Sequence, residues 1–329
     1  MKKKIAINGF GRIGRLTLRN LILRTDVEVV AINDLTDAAT LAHLFEFDSS
    51  HRRFFGTVEV EGTVLVINGQ RIPTYAERNP ENLPWGDLNV DVVLECTGIF
   101  RKREQAMLHV KAGAKRVLLS APAKSEGIPT IVKGVNDHIL SADDILVSNA
   151  SCTTNCLAPL VKVIDENWGL QSGFMSTIHA YTANQRLQDA PHSDLRRARA
   201  AAVNMIPTTT GAAKALALVL PEMKGKISAS SIRVPVPTGS MVELICALDK
   251  EATVEGVNAA FKTAAENELT DVLQYSEKPL VSTDIVSNSY SCIYDAPLTT
   301  IHQGMLKVTA WYDNEAGYSA RLAELAAML

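Results

Sequence analysis

The stretch INGFGRIGR, residues 7–15, restricts what this chain can fold into more than any other. It places Gly9, Gly11 and Gly14 as G-x-G-x-x-G. An apolar run, KIAIN at 4–8, precedes it, and helical spacing of Ile13, Leu16, Ile22 and Leu23 follows. A second apolar run, VEVVAIND at 27–34, ends on Asp34. Strand, glycine turn, helix, then a strand closing on an acid is the fingerprint of a dinucleotide-binding βαβ unit. Gly9 permits the tight turn, Gly11 lets backbone approach a pyrophosphate, and Gly14 lets the helix pack closely. The helix start supplies unpaired N–H groups and partial positive charge to the phosphates. Asp34 suits the adenosine ribose, and its charge disfavours a 2'-phosphate, so the implied cofactor is NAD rather than NADP. The alternative is a glycine-rich βα turn with a structural role only.

More short apolar runs follow: VDVVLECTG (90–98), AKRVLLS (114–120) and DILVSNA (144–150). Short buried strands alternating with helices predict a parallel sheet covered on both faces. After residue 150 the strands lengthen, as in FMSTIHAY (174–181), SASSIRVPV (228–236), MVELICAL (241–248) and KVTAWYD (307–313). Helical spacing returns at 211–220 and 254–268, and the final AGYSARLAELAAML reads as an amphipathic helix. The expected fold class is α/β: a Rossmann-type doubly wound parallel sheet over 1–150, completed by the C-terminal helix at 315–329. An α+β domain with a mixed, largely antiparallel sheet spans 151–314.

A chain of 329 residues is long enough for two separate cores. A net charge of -3 offers no electrostatic case for nucleic acid or an anionic membrane as partner. No apolar run approaches a membrane span, and the basic start MKKK breaks at Gly9 before any signal-peptide core. Five cysteines, without a CxxC pair, do not make a secreted disulfide framework. These features together imply a reduced, cytoplasmic protein.

SNASCTTNCLAPLVKVI, residues 148–164, sets Cys152 and Cys156 one helical turn apart. Cys152 lies at a helix mouth, with Asn149 or Ser151 as N-cap, where the dipole favours thiolate. Cys156 stands against Leu157, Ala158, Pro159 and Leu160 and reads as a core residue. Residue chemistry alone leaves Cys152 as a nucleophile, a structural cysteine or half of a metal site. A thiol attacking a carbonyl needs a base. His179, at the polar end of the strand in TIHAYT, is the best placed of seven histidines, unless it is a satisfied strand-end residue. Arg196, Arg197 and Arg199 precede Thr208, Thr209, Thr210 and Gly211 at a helix start, which suits a phosphate or merely caps a solvated basic face. Arg233, inside the apolar SIRVPVPTG, must be paired internally or face a ligand anion, with Thr182 as a second donor.

The glycine turn, NASCTTNC, TIHAYT, IPTTTGAAK, RVPVP and WYDNE occur in this order along the whole chain. Together they resemble the phosphorylating glyceraldehyde-3-phosphate dehydrogenase family. The resemblance implies an NAD-dependent enzyme that oxidises D-glyceraldehyde 3-phosphate and uses inorganic phosphate to give 1,3-bisphosphoglycerate. Residues 151–314 then form the catalytic domain. Cys152 would form a thiohemiacetal and then a thioester, with His179 as base and oxyanion donor. Thr182 and Arg233 match positions that hold the substrate phosphate; Ser151, Thr153, Arg197, Thr210 and Gly211 match those for the attacking phosphate. Gly9, Gly11, Arg12, Ile13, Gly14, Asp34, Arg78, Ser120 and Asn314 match cofactor contacts, and no metal is implied. The resemblance further implies a cytoplasmic homotetramer in glycolysis or gluconeogenesis, with no need of membrane or nucleic acid. The nearest alternative is erythrose-4-phosphate dehydrogenase, which departs from the TTTGAAK pattern kept here. Departures from the family pattern are Ala316, where many relatives carry a bulky residue, and the mixed Ala190–Pro191 pair.

Overall fold

The computed structural model describes residues 2–329; Met1, the first residue of the expected first domain, lies outside them. The chain forms two compact units. One takes the chain up to Ile131, Ile139–Ala150 and Ser319–Leu329; the other takes Val132–His138 and Ser151–Tyr318.

In the first unit the order is β1 (Lys3–Asn8), α1 (Arg12–Leu21), β2 (Val27–Asn33), α2 (Ala38–Glu46), β3 (Val58–Glu61), β4 (Val64–Ile67) and β5 (Gln70–Tyr75). Then come β6 (Val92–Glu95), α3 (Arg103–Lys111), β7 (Arg116–Leu119) and β8 (Leu146–Ser148). The sheet runs β3-β4-β5-β2-β1-β6-β7-β8. From β5 to β8 the pairing is parallel. The strand order reverses at β1, which puts the glycine turn after β1 at the switch point of the sheet. Ile5, Ile7, Leu18, Val29, Ile32, Leu94 and Leu118 fill the core. The antiparallel β3–β4–β5 meander is absent from the sequence expectation. Its signal is Asn68–Gly69, both left-handed at φ 49° and 81°, between alternating apolar residues. Two positive φ values in a two-residue loop suit the twist of a hairpin.

The second unit holds α4 (Cys152–Trp168), β9 (Leu170–Ala180), β10 (Ile206–Thr208), α5 (Ala212–Val219), β11 (Ile227–Val234), β12 (Ser240–Leu248) and α6 (Val254–Glu266). They are followed by β13 (Leu273–Ser276), β14 (Cys292–Asp295), β15 (Thr300–His302) and β16 (Met305–Tyr312); the last helix, α7 (Ala316–Met328), begins here but belongs to the first unit from Ser319 onward. Its sheet is ordered β10-β11-β9-β12-β16-β14-β13, with β15 on β16. Only the β11–β9 and β13–β14 pairs are parallel, which makes the sheet mixed and largely antiparallel. The fold is therefore the expected α/β class.

Two details differ from the sequence expectation. Val132–His138 belongs to the second unit, because Gly134 packs against Leu269 and Val272. The last helix is not amphipathic in practice: Ser319 through Ala323, more than a full turn, are all buried. Small residues allow this close packing, and the one charge among them, Arg321, pairs with Glu324.

Candidate active site

Each unit presents one functional helix start. In the first, Gly9 has φ +94°, and a Cβ there would lie 2.7 Å from the Thr97 N, so glycine is required. A Cβ on Gly14 would strike the Gly9 carbonyl oxygen, so the third glycine lets α1 sit against the turn. A Cβ on Gly11 would meet nothing within 4 Å. Gly11 is the N-cap of α1 and makes no side-chain capping bond. The start of α1 therefore carries no side chain at its exposed cap, as the cradle for a pyrophosphate requires.

Asp34 stands beside this turn. Its Oδ2 accepts the Phe10 N–H at 2.8 Å and its Oδ1 accepts the Thr36 N–H at 3.0 Å. The acid that suits the ribose thus also secures the turn. Arg12, the first residue of α1, turns its guanidinium to Asp48 at 3.1 Å, and Ile13 follows it, partly buried. Burial alone would raise the Asp48 carboxyl, but the His51 N–H and Arg12 hold it down to about 2. Arg78 is exposed after β5, and Ser120 is partly buried after β7. These residues fit an adenine dinucleotide: a side-chain-free phosphate cradle with an acid next to it.

In the second unit, Ala150 enters α4 at φ +55°, and Ser151 caps the helix by accepting the Thr154 N–H at 3.1 Å. Cys152 becomes the first helical residue, and its Sγ lies 3.5 Å from His179 Nε2. His179 comes from the end of β9, where the parallel register sets it beside Arg233 of β11. Arg233 Nη1 is 2.8 Å from His179 Nδ1 and 3.0 Å from the Ala180 carbonyl oxygen. That carbonyl also accepts from Nδ1 at 2.7 Å. Nδ1 thus faces an acceptor, the Ala180 carbonyl, and a donor, Arg233; in the tautomer that gives the Nδ1 proton to Ala180, the lone pair of Nε2 is directed at the thiol.

Electrostatics at the thiol depart from the expectation drawn from the helix dipole. Burial raises the Cys152 thiol; the Arg233 charge, the Thr153 side chain and the first-turn N–H groups pull it back only partly. Burial, and then Arg233, hold His179 down to about 3, so the imidazole is neutral and able to accept a proton. Arg233 has no carboxylate within salt-bridge distance among the described residues, and burial lowers its own pKa. A partly buried guanidinium without an acid is a ready anion site.

Arg197, rather than the exposed Arg196, reaches the threonine run. Its Nε donates to Thr208 Oγ1 at 2.8 Å and its Nη2 to the Thr209 carbonyl oxygen at 3.2 Å. Thr210 and Gly211 follow directly, and Gly211 caps α5 without a side-chain bond. Thr182 lies just beyond β9, and its main-chain N–H donates to Gln185 Oε1 at 3.3 Å. Thr153 differs from the expectation of a hydroxyl offered to phosphate. Its Oγ1 is buried against Tyr312 OH at 2.9 Å, so its main-chain N–H is what remains for an anion. Tyr312 also meets Thr177 Oγ1 at 2.8 Å and packs edge-on to His179. Tyr312 stands in WYDNE, but an aromatic on a buried strand carries no functional signal of its own in sequence. Asn314 is buried two residues on, with Oδ1 accepting from Ser240 Oγ at 2.9 Å. Cys156 is fully buried, its thiol against that of Cys292 and pushed well up by burial. No cluster of three or more His, Cys, Asp or Glu suited to a metal occurs among the described residues.

Comparison with known proteins agrees with this geometry. Residues 3–103 match the profile of the glyceraldehyde 3-phosphate dehydrogenase NAD binding domain, and residues 151–314 match that of the C-terminal domain of the same enzyme. A glyceraldehyde-3-phosphate dehydrogenase of Geobacillus stearothermophilus is 56% identical over 331 residues, spanning 100% of this chain and 98% of the relative. Glyceraldehyde-3-phosphate dehydrogenase 1 of Bacillus subtilis is 53% identical over 100% of this chain and 98% of its own. The Clostridium acetobutylicum enzyme is 53% identical over 97% and 96%. With both halves matched and more than half of all positions shared, the chain belongs to the glyceraldehyde-3-phosphate dehydrogenase family.

Proposed function

We propose that this chain oxidises D-glyceraldehyde 3-phosphate with NAD and inorganic phosphate, with Cys152 as nucleophile and His179 as its base. The observation that carries this reading is the line from Cys152 Sγ through the His179 ring to an Arg233 guanidinium without an acid partner. Nε2 takes the thiol proton as sulfur bonds to the aldehyde carbon, and the imidazolium N–H then donates to the oxygen of the tetrahedral adduct. The substrate phosphate, held by Arg233 and Thr182, offsets the Arg233 charge, which after burial is the next largest influence keeping the free imidazole neutral. Bound NAD supplies the acceptor for the hydride that leaves the thiohemiacetal carbon. The thioester that remains is attacked by phosphate oxygen. The C–S bond breaks, Cys152 leaves as thiolate, and the products are 1,3-bisphosphoglycerate, NADH and a proton.

Ser151, the Thr153 N–H, Arg197, Thr210 and Gly211 hold the attacking phosphate. Gly9, Gly11, Arg12, Ile13, Gly14, Asp34, Arg78, Ser120 and Asn314 hold the cofactor. The intact TTTG segment beside Arg197 supports phosphorolysis over the hydrolysis expected of an erythrose-4-phosphate dehydrogenase. A homotetramer is supported by Leu187 and Leu195, 79% and 81% exposed on the segment that follows Thr182. A cytoplasmic setting is supported by five free cysteines. Among the described residues, no helix is long and apolar enough to cross a membrane. The test is an initial-rate assay with NAD on both aldehydes, with and without phosphate or arsenate. Phosphate-dependent NADH formation, faster on glyceraldehyde 3-phosphate, is expected. Phosphate-independent NADH formation, or faster turnover of erythrose 4-phosphate, overturns it.

A further inference from the structure

We infer that Ser240 is a positioning residue that ties the nicotinamide-side anchor Asn314 to the catalytic base His179 through one buried hydroxyl. The inference rests on the roles given above to Asn314 and His179. Ser240 opens β12 and is 1% exposed. Antiparallel register on one side pairs it with Tyr312 of β16, two residues before Asn314. On its other side, Met241 pairs with Ile178 of β9, so Ser240 comes level with the end of that strand at Ala180.

A serine hydroxyl has one proton to give and lone pairs to receive. The Ala180 N–H can only donate, and it donates to Ser240 Oγ at 3.0 Å. The Ser240 proton therefore goes to its other neighbour, Asn314 Oδ1 at 2.9 Å. The Thr238 hydroxyl proton is directed at Asp313 Oδ1, 2.8 Å away, with Asn314 Oδ1 more distant at 3.5 Å. The Ser240 hydroxyl thus favours the amide orientation with oxygen inward. Asn314 Nδ2 is turned away from Ser240 and makes no hydrogen bond to any described residue. An Asn held with its NH2 free is set to donate to a carboxamide oxygen. Reversing the amide would bring its donors onto Ser240 and leave the serine proton without an acceptor.

The same oxygen works on the catalytic side. Ala180 is held at its nitrogen by Ser240, and its carbonyl oxygen accepts from His179 Nδ1 at 2.7 Å. That bond favours a proton on Nδ1, against the donor Arg233 Nη1 at 2.8 Å, and so a lone pair on the Nε2 that faces Cys152 Sγ. One hydroxyl therefore sets the direction of a cofactor-facing amide and steadies the residue that orients the base.

The experiment measures NAD binding by calorimetry, Cys152 alkylation by iodoacetamide in the cofactor-free protein, kcat and Tm. The variants are Ser240→Ala, Ser240→Thr, Asn314→Ala and the Ser240→Ala/Asn314→Ala double variant. In Ser240→Ala we expect NAD affinity to fall about tenfold, alkylation to slow about fivefold and kcat to fall at least about tenfold, as when one buried hydrogen bond is lost. Ser240→Thr, which keeps the hydroxyl, regains most of these losses. In the double variant NAD binding is little weaker than in Asn314→Ala alone, because the serine acts through the asparagine. A lowered Tm in Ser240→Ala with unchanged NAD affinity and alkylation overturns the proposal, as does full additivity in the double variant. Unchanged NAD affinity in Asn314→Ala overturns the reading of Asn314 and the proposal with it; weakened binding there with an inert Ser240→Ala overturns the proposal alone.

Discussion

The starts of α1 and α4 use one physical device for opposite ends. Both present first-turn N–H groups with partial positive charge. At α1 the cap is Gly11, exposed and without a side chain, so the donors are left for something from outside. At α4 the cap is Ser151, whose oxygen accepts the Thr154 N–H, and the first residue is Cys152, the proposed nucleophile. There the free N–H groups of Cys152 and Thr153 serve the chain's own sulfur. The cap differs accordingly: glycine leaves the α1 start without a side chain, and serine ties the α4 start to its own first turn. The α4 case also shows a limit of the device. Burial of the thiol outweighs the first-turn donors, and the charge of Arg233 on a neighbouring strand is the largest force opposing it.

The strongest way to break the comparison is Cys152→Ser. It should lower NADH formation by at least about a thousandfold while leaving NAD affinity as it was, because the α1 cradle is untouched. Retained turnover in a coupled assay would remove α4 from the chemistry. His179→Asn comes next, with an expected loss of about 10²–10⁴-fold in kcat. A rise in KM alone, at constant kcat, would show that the imidazole binds rather than transfers a proton.

Asp48 tests what secures α1 in place of a capping side chain. Its carboxyl is held at about 2 by the His51 N–H and Arg12, so its stabilisation is complete above the usual carboxylate range and lost as pH falls through about 2. Asp48→Asn should therefore cost about 2 kcal/mol at neutral pH, with the gap to the parent closing in acid. Urea titrations at several pH values would show this, and a gap that persists unchanged near pH 2 would contradict it. Gly11→Ala should weaken NAD about tenfold by placing a methyl in the cradle, with stability within about 1 kcal/mol because nothing in the fold meets that methyl. Ser151→Ala reverses this pattern and has the smallest effect: about 1 kcal/mol of stability lost, measured by chemical denaturation, with NAD affinity unchanged.

The first functional helix start was legible in the sequence because its signal is local. Gly9, Gly11, Gly14 and Asp34 act through backbone conformation and strand length, and both are written in consecutive residues. The meander at 58–75 is equally local, carried by Asn68–Gly69, but it interrupts the βα alternation that marks the rest of the unit. At α4, sequence separated an active thiol from a packing one only in part. Cys152 and Cys156 differ in their flanking residues, but that His179 stands 3.5 Å from one of them comes from the β9 register, 27 residues away.

Sequence alone therefore sufficed for the fold class, the glycine cradle, Asp34 and the candidate thiol, since turn chemistry, capping and apolar periodicity are short-range. Tertiary structure decided the rest. It set Arg233 against His179 through parallel strand pairing, turned the Thr153 hydroxyl to Tyr312, and placed Ser240 between Ala180 and Asn314. It also made burial the dominant influence on the Cys152 thiol and the His179 ring. The reason is physical: hydrogen bonds and desolvation act over a few ångströms of space, and residues up to 159 apart in the chain reach that distance only when the sheet brings them there.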